Sequence, residues 1–160
     1  MNAAPRRLPV FQKYPHVQAE APLPAAPAVL AQWNAVDGEG RFSPCEGLGY
    51  EGGAATLSPG EAVSFSFKTD VPEALVSVRM VPTHPVSSPR LRFSLSLDGG
   101  APMTFSYETY GRSEEWKENV LNNQAVRDTL LQLGKEVTHR LTLTALDEGV
   151  VLDQVLLCRP

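Results

Sequence analysis

The chain has 160 residues, 42% hydrophobic and 20% charged, with a formal net charge of −4. That length suits one domain with a proper core, and no stretch reaches the roughly 18 apolar residues that a membrane span needs. Its basic residues are scattered and outnumbered by acidic ones, which argues against nucleic acid, whose phosphates need a clustered basic surface.

The first stretch, to about Leu30, carries Pro5, Pro9, Pro15, Pro22, Pro24 and Pro27. Proline fixes φ and removes a backbone donor, so this segment reads as extended. Residues 1–16 are assigned to a proline-rich lead-in and residues 17–160 to the domain proper. Arg6 and Arg7 are not followed by the apolar run of a signal peptide, so export is not encoded in the chain as given. Between Trp33 and Gly60 glycine recurs at positions 38, 40, 47, 49, 52, 53 and 60, which predicts turns and short strands with loops dominating.

From residue 61 the hydrophobic period becomes two. Val63, Phe65 and Phe67 alternate with Ser64 and Ser66; Val76, Val78 and Met80 alternate with Ser77 and Arg79. Leu91, Phe93, Leu95 and Leu97 form a third such run, ended by the turn pair Asp98-Gly99. Met103, Phe105 and Tyr107 resume the alternation, and Leu141, Leu143 and Ala145 repeat it. In the last run Val151, Val155 and Leu157 are expected on one face and Leu152 on the other, a strand buried on both sides well inside a sheet. One short helix is predicted from Ser113 to about Gln124: Ser113 is placed to cap it, Glu114 and Glu115 suit the positive end of its dipole, and Trp116 and Val120 share a face. Many short strands and one minor helix predict an all-β fold, an antiparallel β-sandwich.

No catalytic motif is present: there is no G-x-S-x-G, no H-E-x-x-H and no P-loop. Gly47, Gly49 and Gly52 approach a dinucleotide pattern but read as turn glycines. His16, His84 and His139 are too dispersed for a local zinc signature, and His84 sits between Pro82 and Pro85 in a stiffened loop that favours a structural corner. Cys45 and Cys158 make one bridge or none, with two unpaired, mostly buried thiols as the expected state. Glu114/Glu115 and Asp147/Glu148 are sequence neighbours whose side chains diverge, so a solvated role is expected of them rather than acid/base work. Among the aromatics Trp33, Tyr50, Tyr107, Tyr110 and Trp116, the densest sugar-compatible group is Trp116 with Asn119, Asn122 and Asn123: an aromatic face beside several amides. The competing reading is a helix that packs its tryptophan onto the sandwich.

Val81-Pro82-Thr83-His84-Pro85, then Leu91 to Gly99 (LRFSLSLDG), then Trp116 to Leu121 (WKENVL), and finally Leu141 to Asp153 (LTLTALDEGVVLD) resemble, in that order, the C-terminal domain of glycoside hydrolase family 115. The resemblance spans roughly Val17 to Cys158. That family comprises bacterial α-glucuronidases that remove glucuronic acid or its methyl ether from xylan, and their catalytic residues lie in other domains. The resemblance therefore implies a jelly-roll sandwich similar to galactose-binding-like carbohydrate-binding modules, no catalytic residue in this chain, and full-length relatives that are periplasmic or secreted. Related modules hold a structural calcium, and the matching positions here are Gln18, Glu20 and Asp153, with Gln18 replacing the usual first glutamate. The alternative for Asp153 is a carboxylate hydrogen-bonded to backbone or hydrated. Two functions follow: an accessory module that helps bind plant polysaccharide such as glucuronoxylan, or a structural domain that buttresses a catalytic glycoside hydrolase domain or forms a homodimer, for which an exposed apolar patch is expected.

Overall fold

The alternating runs fold as strands. The computed structural model of the protein describes residues 29–83, 90–108, 115, 119 and 124–160. Among them the strands run in chain order as β1 (Val29–Asn34), β2 (Glu39–Gly40), β3 (Ser43–Glu46), β4 (Gly53–Leu57), β5 (Ala62–Lys68), β6 (Glu73–Met80), β7 (Arg90–Leu97), β8 (Met103–Glu108), β9 (Ala125–Gln132), β10 (Thr138–Ala145) and β11 (Val150–Cys158). They build two antiparallel sheets. One has the order β3-β4-β11-β6-β9, with β1 also paired to β11; the other has the order β2-β5-β10-β7-β8.

The inward faces follow from the period of two. From the second sheet come Val63, Phe65, Phe67, Leu91, Phe93, Leu95, Leu141, Leu143 and Ala145; from the first come Val76, Val78, Met80, Val150, Leu152, Val155 and Leu157, all buried in one cluster. Burying each large side chain in this set stabilises the fold by about 1.5–3 kcal/mol, so the core carries the sandwich. The outward face of the second sheet is Ser, Thr and Arg: Ser64, Ser66, Arg92, Ser94, Ser96, Thr104, Ser106, Arg140, Thr142 and Thr144 alternate with those core residues. The first sheet differs, because β11 is buried along its whole length, as its lack of alternation predicts.

Its face assignment needs one correction. The pairing of β11 with β6 shifts register between Leu152 and Gln154, a β-bulge, so Leu152 lies in the core with Val155 and Leu157 while Val151 lies outside that cluster. An extra residue resets the alternation, which a strict period of two cannot anticipate. A second correction concerns Asp147, expected to be solvated. It is buried, and its carboxylate accepts bonds from Arg92 Nε (2.9 Å), Nη2 (2.9 Å) and backbone N (3.0 Å), which ties the turn after β10 onto β7. The Arg92 guanidinium beside it holds the Asp147 carboxyl below the usual carboxylate range.

Of the predicted helix, Glu115 and Asn119 are helical and Gln124 is not; its other positions lie outside the described residues, as do His16 and His84. At the rim, Arg127 on β9 donates from Nε to the Ser106 carbonyl on β8 (2.9 Å) and pairs with Glu115, joining the two sheets at their edge. Both cysteines are free. Burial pushes the Cys158 thiol up to about 11, so it stays protonated and inert near neutral pH.

The Asp98-Gly99 turn forms as the sequence predicts, with φ of 53° and 73° and a bond from Gly100 N to Leu97 O (2.9 Å). Two consecutive left-handed residues match a type I′ turn. Gly99→Ala is expected to cost about 1 kcal/mol in urea unfolding, since a Cβ is disfavoured at that φ. An unchanged midpoint would remove this account of the turn.

Candidate functional site

Three places among the described residues are candidates for a site. The first lies at Asp153. The bulge in β11 puts its side chain, fully buried, beneath the loop between β3 and β4. Its Oδ1 and Oδ2 accept from the Tyr50 backbone N–H at 2.9 and 3.0 Å, and Oδ2 also accepts from Gln124 Nε2 at 2.7 Å. Burial pushes the Asp153 carboxyl above the ordinary range, against the opposing pull of the Gln124 and Tyr50 hydrogen bonds. The loop above it turns on Gly47, Gly49 and Gly52, with φ of 79°, 85° and 81°, so these are turn glycines. Gly49 must also lack a side chain, because a Cβ there would lie 2.4 Å from Asp153 Oδ1.

Asn119 belongs to the same neighbourhood. Its carbonyl accepts from Gln124 N at 3.1 Å, its side chain is buried, and its Nδ2 has no partner among the described residues; nor does Gln124 Oε1. Gln124 thus links one predicted sugar-binding residue to one predicted metal ligand. Trp116, Asn122 and Asn123 lie outside the described residues, as do Gln18 and Glu20. Among the described residues no three His, Cys, Asp or Glu side chains converge as a metal set, and two protein donors, the Tyr50 N–H and Gln124 Nε2, already address the Asp153 oxygens. The described residues alone therefore do not build a calcium site.

The other two places are cavities. One, of about 450 Å³, is lined by Asn34, Asp37, Cys45, Glu46 and Glu51 among others, with Cys45 Sγ bonded to Thr56 Oγ1 at 2.8 Å. The larger, of about 620 Å³, opens on the outward face of the second sheet between β2, the turn at 58–61 and β10. Glu39, Arg41, Glu61, Ser64 and Arg140 supply its polar lining. The aromatic signals divide: Trp33 stacks on Phe65 (5.0 Å) against the core and Tyr107 is buried, whereas Tyr50 is half-buried and is not part of the core cluster. Tyr110 lies outside the described residues.

Two antiparallel sheets, with almost no helix among the described residues, are the architecture of carbohydrate-binding β-sandwiches. A family 35 carbohydrate-binding module from Clostridium thermocellum superposes with a TM-score of 0.58 at 13% identity, over 80% of this chain and 98% of that one. A family 6 module from Cellvibrio mixtus lichenase 5A, solved with cellotriose, gives 0.58 at 15%, over 82% and 98%. The chain belongs to the glycosyl hydrolase family 115 C-terminal domain, whose family model matches residues 26–159. A family 115 4-O-methyl-α-glucuronidase with specificity for decorated arabinogalactans is 48% identical, with a TM-score of 0.77 over 98% of this chain. This chain spans 21% of that enzyme's length. No curated protein sequence matches.

Proposed function

We propose that this chain is a non-catalytic accessory domain of an α-glucuronidase-type enzyme and helps hold a plant polysaccharide whose side chains carry glucuronic acid. The observation that carries the reading is the 48% identity to a fifth-length portion of a family 115 4-O-methyl-α-glucuronidase. Two features support the absence of catalysis. Glu39 in the larger cavity is 72% exposed and paired with Arg140, and Glu61 spends Oε1 on the Ser58 N–H. Neither is set in the apolar pocket that keeps a general acid protonated. On this reading the full enzyme meets a polymer substrate and is expected in the periplasm or outside the cell.

The polymer backbone is the open choice between xylan, which the family resemblance implies, and arabinogalactan, which the relative attacks. A purely structural or dimerising role calls for a contiguous apolar patch. The exposed large apolar residues among those described, Val29, Leu48, Leu130, Val137 and Leu146, are spread over β1, β9 and three separate loops, and only Val29 and Leu130 share a cross-strand row, through Cys158 and Leu75. Calorimetric titration of the 160-residue chain with glucuronoxylan, decorated arabinogalactan and unsubstituted xylan tests the reading. Saturable heat with at least one decorated polymer is expected; silence with all three would sink it.

A further inference from the structure

The larger cavity has a feature that its solvated, Ser/Thr-rich surroundings do not explain. Its four charged side chains are two guanidiniums and two carboxylates, and three of them are committed. Arg140 Nη1 donates to Glu39 Oε1 at 3.2 Å and reaches Ser66 Oγ at 3.4 Å, while Glu61 Oε1 accepts from Ser58 N at 2.9 Å. The Arg41 guanidinium lines the same cavity and has no hydrogen-bond or ion-pair partner among the described residues. Five donors in a planar fork, with no acceptor of their own, match the two oxygens of a carboxylate far better than a single hydroxyl.

The walls are fixed in place. Arg41 N donates to Ala62 O (3.1 Å), Gly60 N to Ala145 O (2.8 Å), Ala145 N to Glu61 O (3.0 Å) and Glu61 N to Ser58 O (2.9 Å). Gly40, just before Arg41, has φ of +146°, and a Cβ there would fall 2.0 Å from the Ala62 carbonyl oxygen, so β2 lies against β5 only with glycine at this position. Arg41 is therefore presented from an edge whose backbone is pinned, which lowers the ordering cost of binding. Ser64 Oγ and Thr142 Oγ1, 2.8 Å apart, share one hydrogen between two hydroxyls, so the second hydrogen is free to meet a ligand oxygen. Glu61 Oε2 adds an acceptor. The volume of about 620 Å³ falls within the roughly 300–1,000 Å³ of small-molecule sites.

We propose that this cavity is a binding site for an acidic sugar residue, with Arg41 taking the sugar carboxylate and Glu61, Ser64 and Arg140 meeting its hydroxyls. The assignment rests on the accessory-domain reading and narrows its ligand to a saccharide end that bears a carboxylate. The cavity's polar lining includes no aromatic ring, so binding depends on charge-assisted hydrogen bonds and weakens as salt screens them.

The test is a backbone-amide NMR titration of the 160-residue chain with methyl glucuronoside and methyl glucoside, which differ only in carboxylate against hydroxymethyl. The glucuronoside should bind at least tenfold more tightly, move the amides of Arg41, Gly60, Glu61 and Ser64, and lose affinity in 0.5 M salt. Arg41→Gln, an exposed change that leaves the fold intact, should weaken it at least tenfold, with Arg41→Lys in between. Equal affinity for the two sugars, shifts confined to other loops, or an unaffected Arg41→Gln would each overturn the site. Polysaccharide binding that survives Arg41→Gln removes this site alone; a wild-type chain that binds neither polymer nor glucuronoside removes the accessory-domain reading as well.

Discussion

Replacing Asp153 by alanine is expected to lower the unfolding free energy by about 3 kcal/mol, because it strands two buried donors at about 1–3 kcal/mol each with partial relaxation. The carboxylate is fully buried and is the acceptor for the Tyr50 N–H and for Gln124 Nε2. Gly49 leaves space only for the carboxylate itself, as its 2.4 Å limit to Oδ1 requires. The loop with Leu48, Tyr50 and Glu51 should loosen in the variant, so hydrogen exchange at residues 47–52 should quicken more than exchange in β5 or β10.

The pH dependence gives this prediction a second edge. Burial first, opposed by the Gln124 and Tyr50 bonds, raises the Asp153 carboxyl in the folded state. A group raised on folding contributes its stability below the unfolded carboxylate range and loses it as pH rises through its folded value. The gap between wild type and Asp153→Ala should therefore be widest in acid and narrow as Asp153 ionises. Urea midpoints across that range check both the size and the slope, and a gap that widened with rising pH would show that the ionised form is the preferred one.

How much of this could be read from residues alone varies by element. The strands from Ala62 to Leu97, and those ending at Ala145 and Cys158, were legible because one face of each is core and the other polar, or both are buried. β9 was not. Its inward register runs Ala125, Arg127, Thr129, Leu131, and a charge at an inward position hides the alternation; only the rim geometry, with Arg127 reaching the Ser106 carbonyl, explains it. β1 to β4 lie in proline- and glycine-rich sequence and are short, held by pairing with β11 and β5 rather than by local propensity. Asp153 could be singled out only through family likeness, and its partners Tyr50 and Gln124 lie 103 and 29 residues away, beyond any local pattern. Arg41 carried no signal at all, because an arginine in a glycine-rich stretch looks like any solvated loop charge until the cavity around it is seen.

Those two places define different roles for the two sheets. The first sheet is buried on both faces at β11, and its exposed residues include some on β3, β9 and the loop held by Asp153. The second sheet buries one face only, and its small hydroxyl side chains leave the larger cavity open to solvent between β2 and β10. The cavity presents the Arg41 guanidinium, which has no partner among the described residues, whereas the Tyr50 loop is held by the Asp153 carboxylate. The Arg41 and Asp153 variants therefore separate the two surfaces in one binding experiment.

The second large effect is expected at His139, where alanine should cost about 3 kcal/mol, in line with removal of a buried aromatic ring. The ring is 1% exposed, stacks on Phe67 with centroids 5.2 Å apart, and bonds from Nδ1 to Asp98 Oδ2 (2.7 Å) and from Nε2 to the Glu136 carbonyl (2.9 Å). Both nitrogens face acceptors, so both bonds are made only when both carry hydrogen. Burial pushes the Asp98 carboxyl upward, but the His139 bond, the Arg140 N–H (2.7 Å) and the His139 charge together leave it below the usual range. A depressed carboxylate contributes its stability above the unfolded carboxylate range and loses it as pH falls through its folded value. His139→Ala removes one of the two lowering partners and with it two of the three lowering contributions, so acid unfolding should begin at higher pH than in wild type. His139→Phe keeps the stacking surface and should recover part of the neutral-pH loss without restoring the acid limb. Thermal melts from neutral pH downward distinguish the terms, and an acid limb shared by wild type and both variants would mean that Asp98 draws its stabilisation from Arg140 alone.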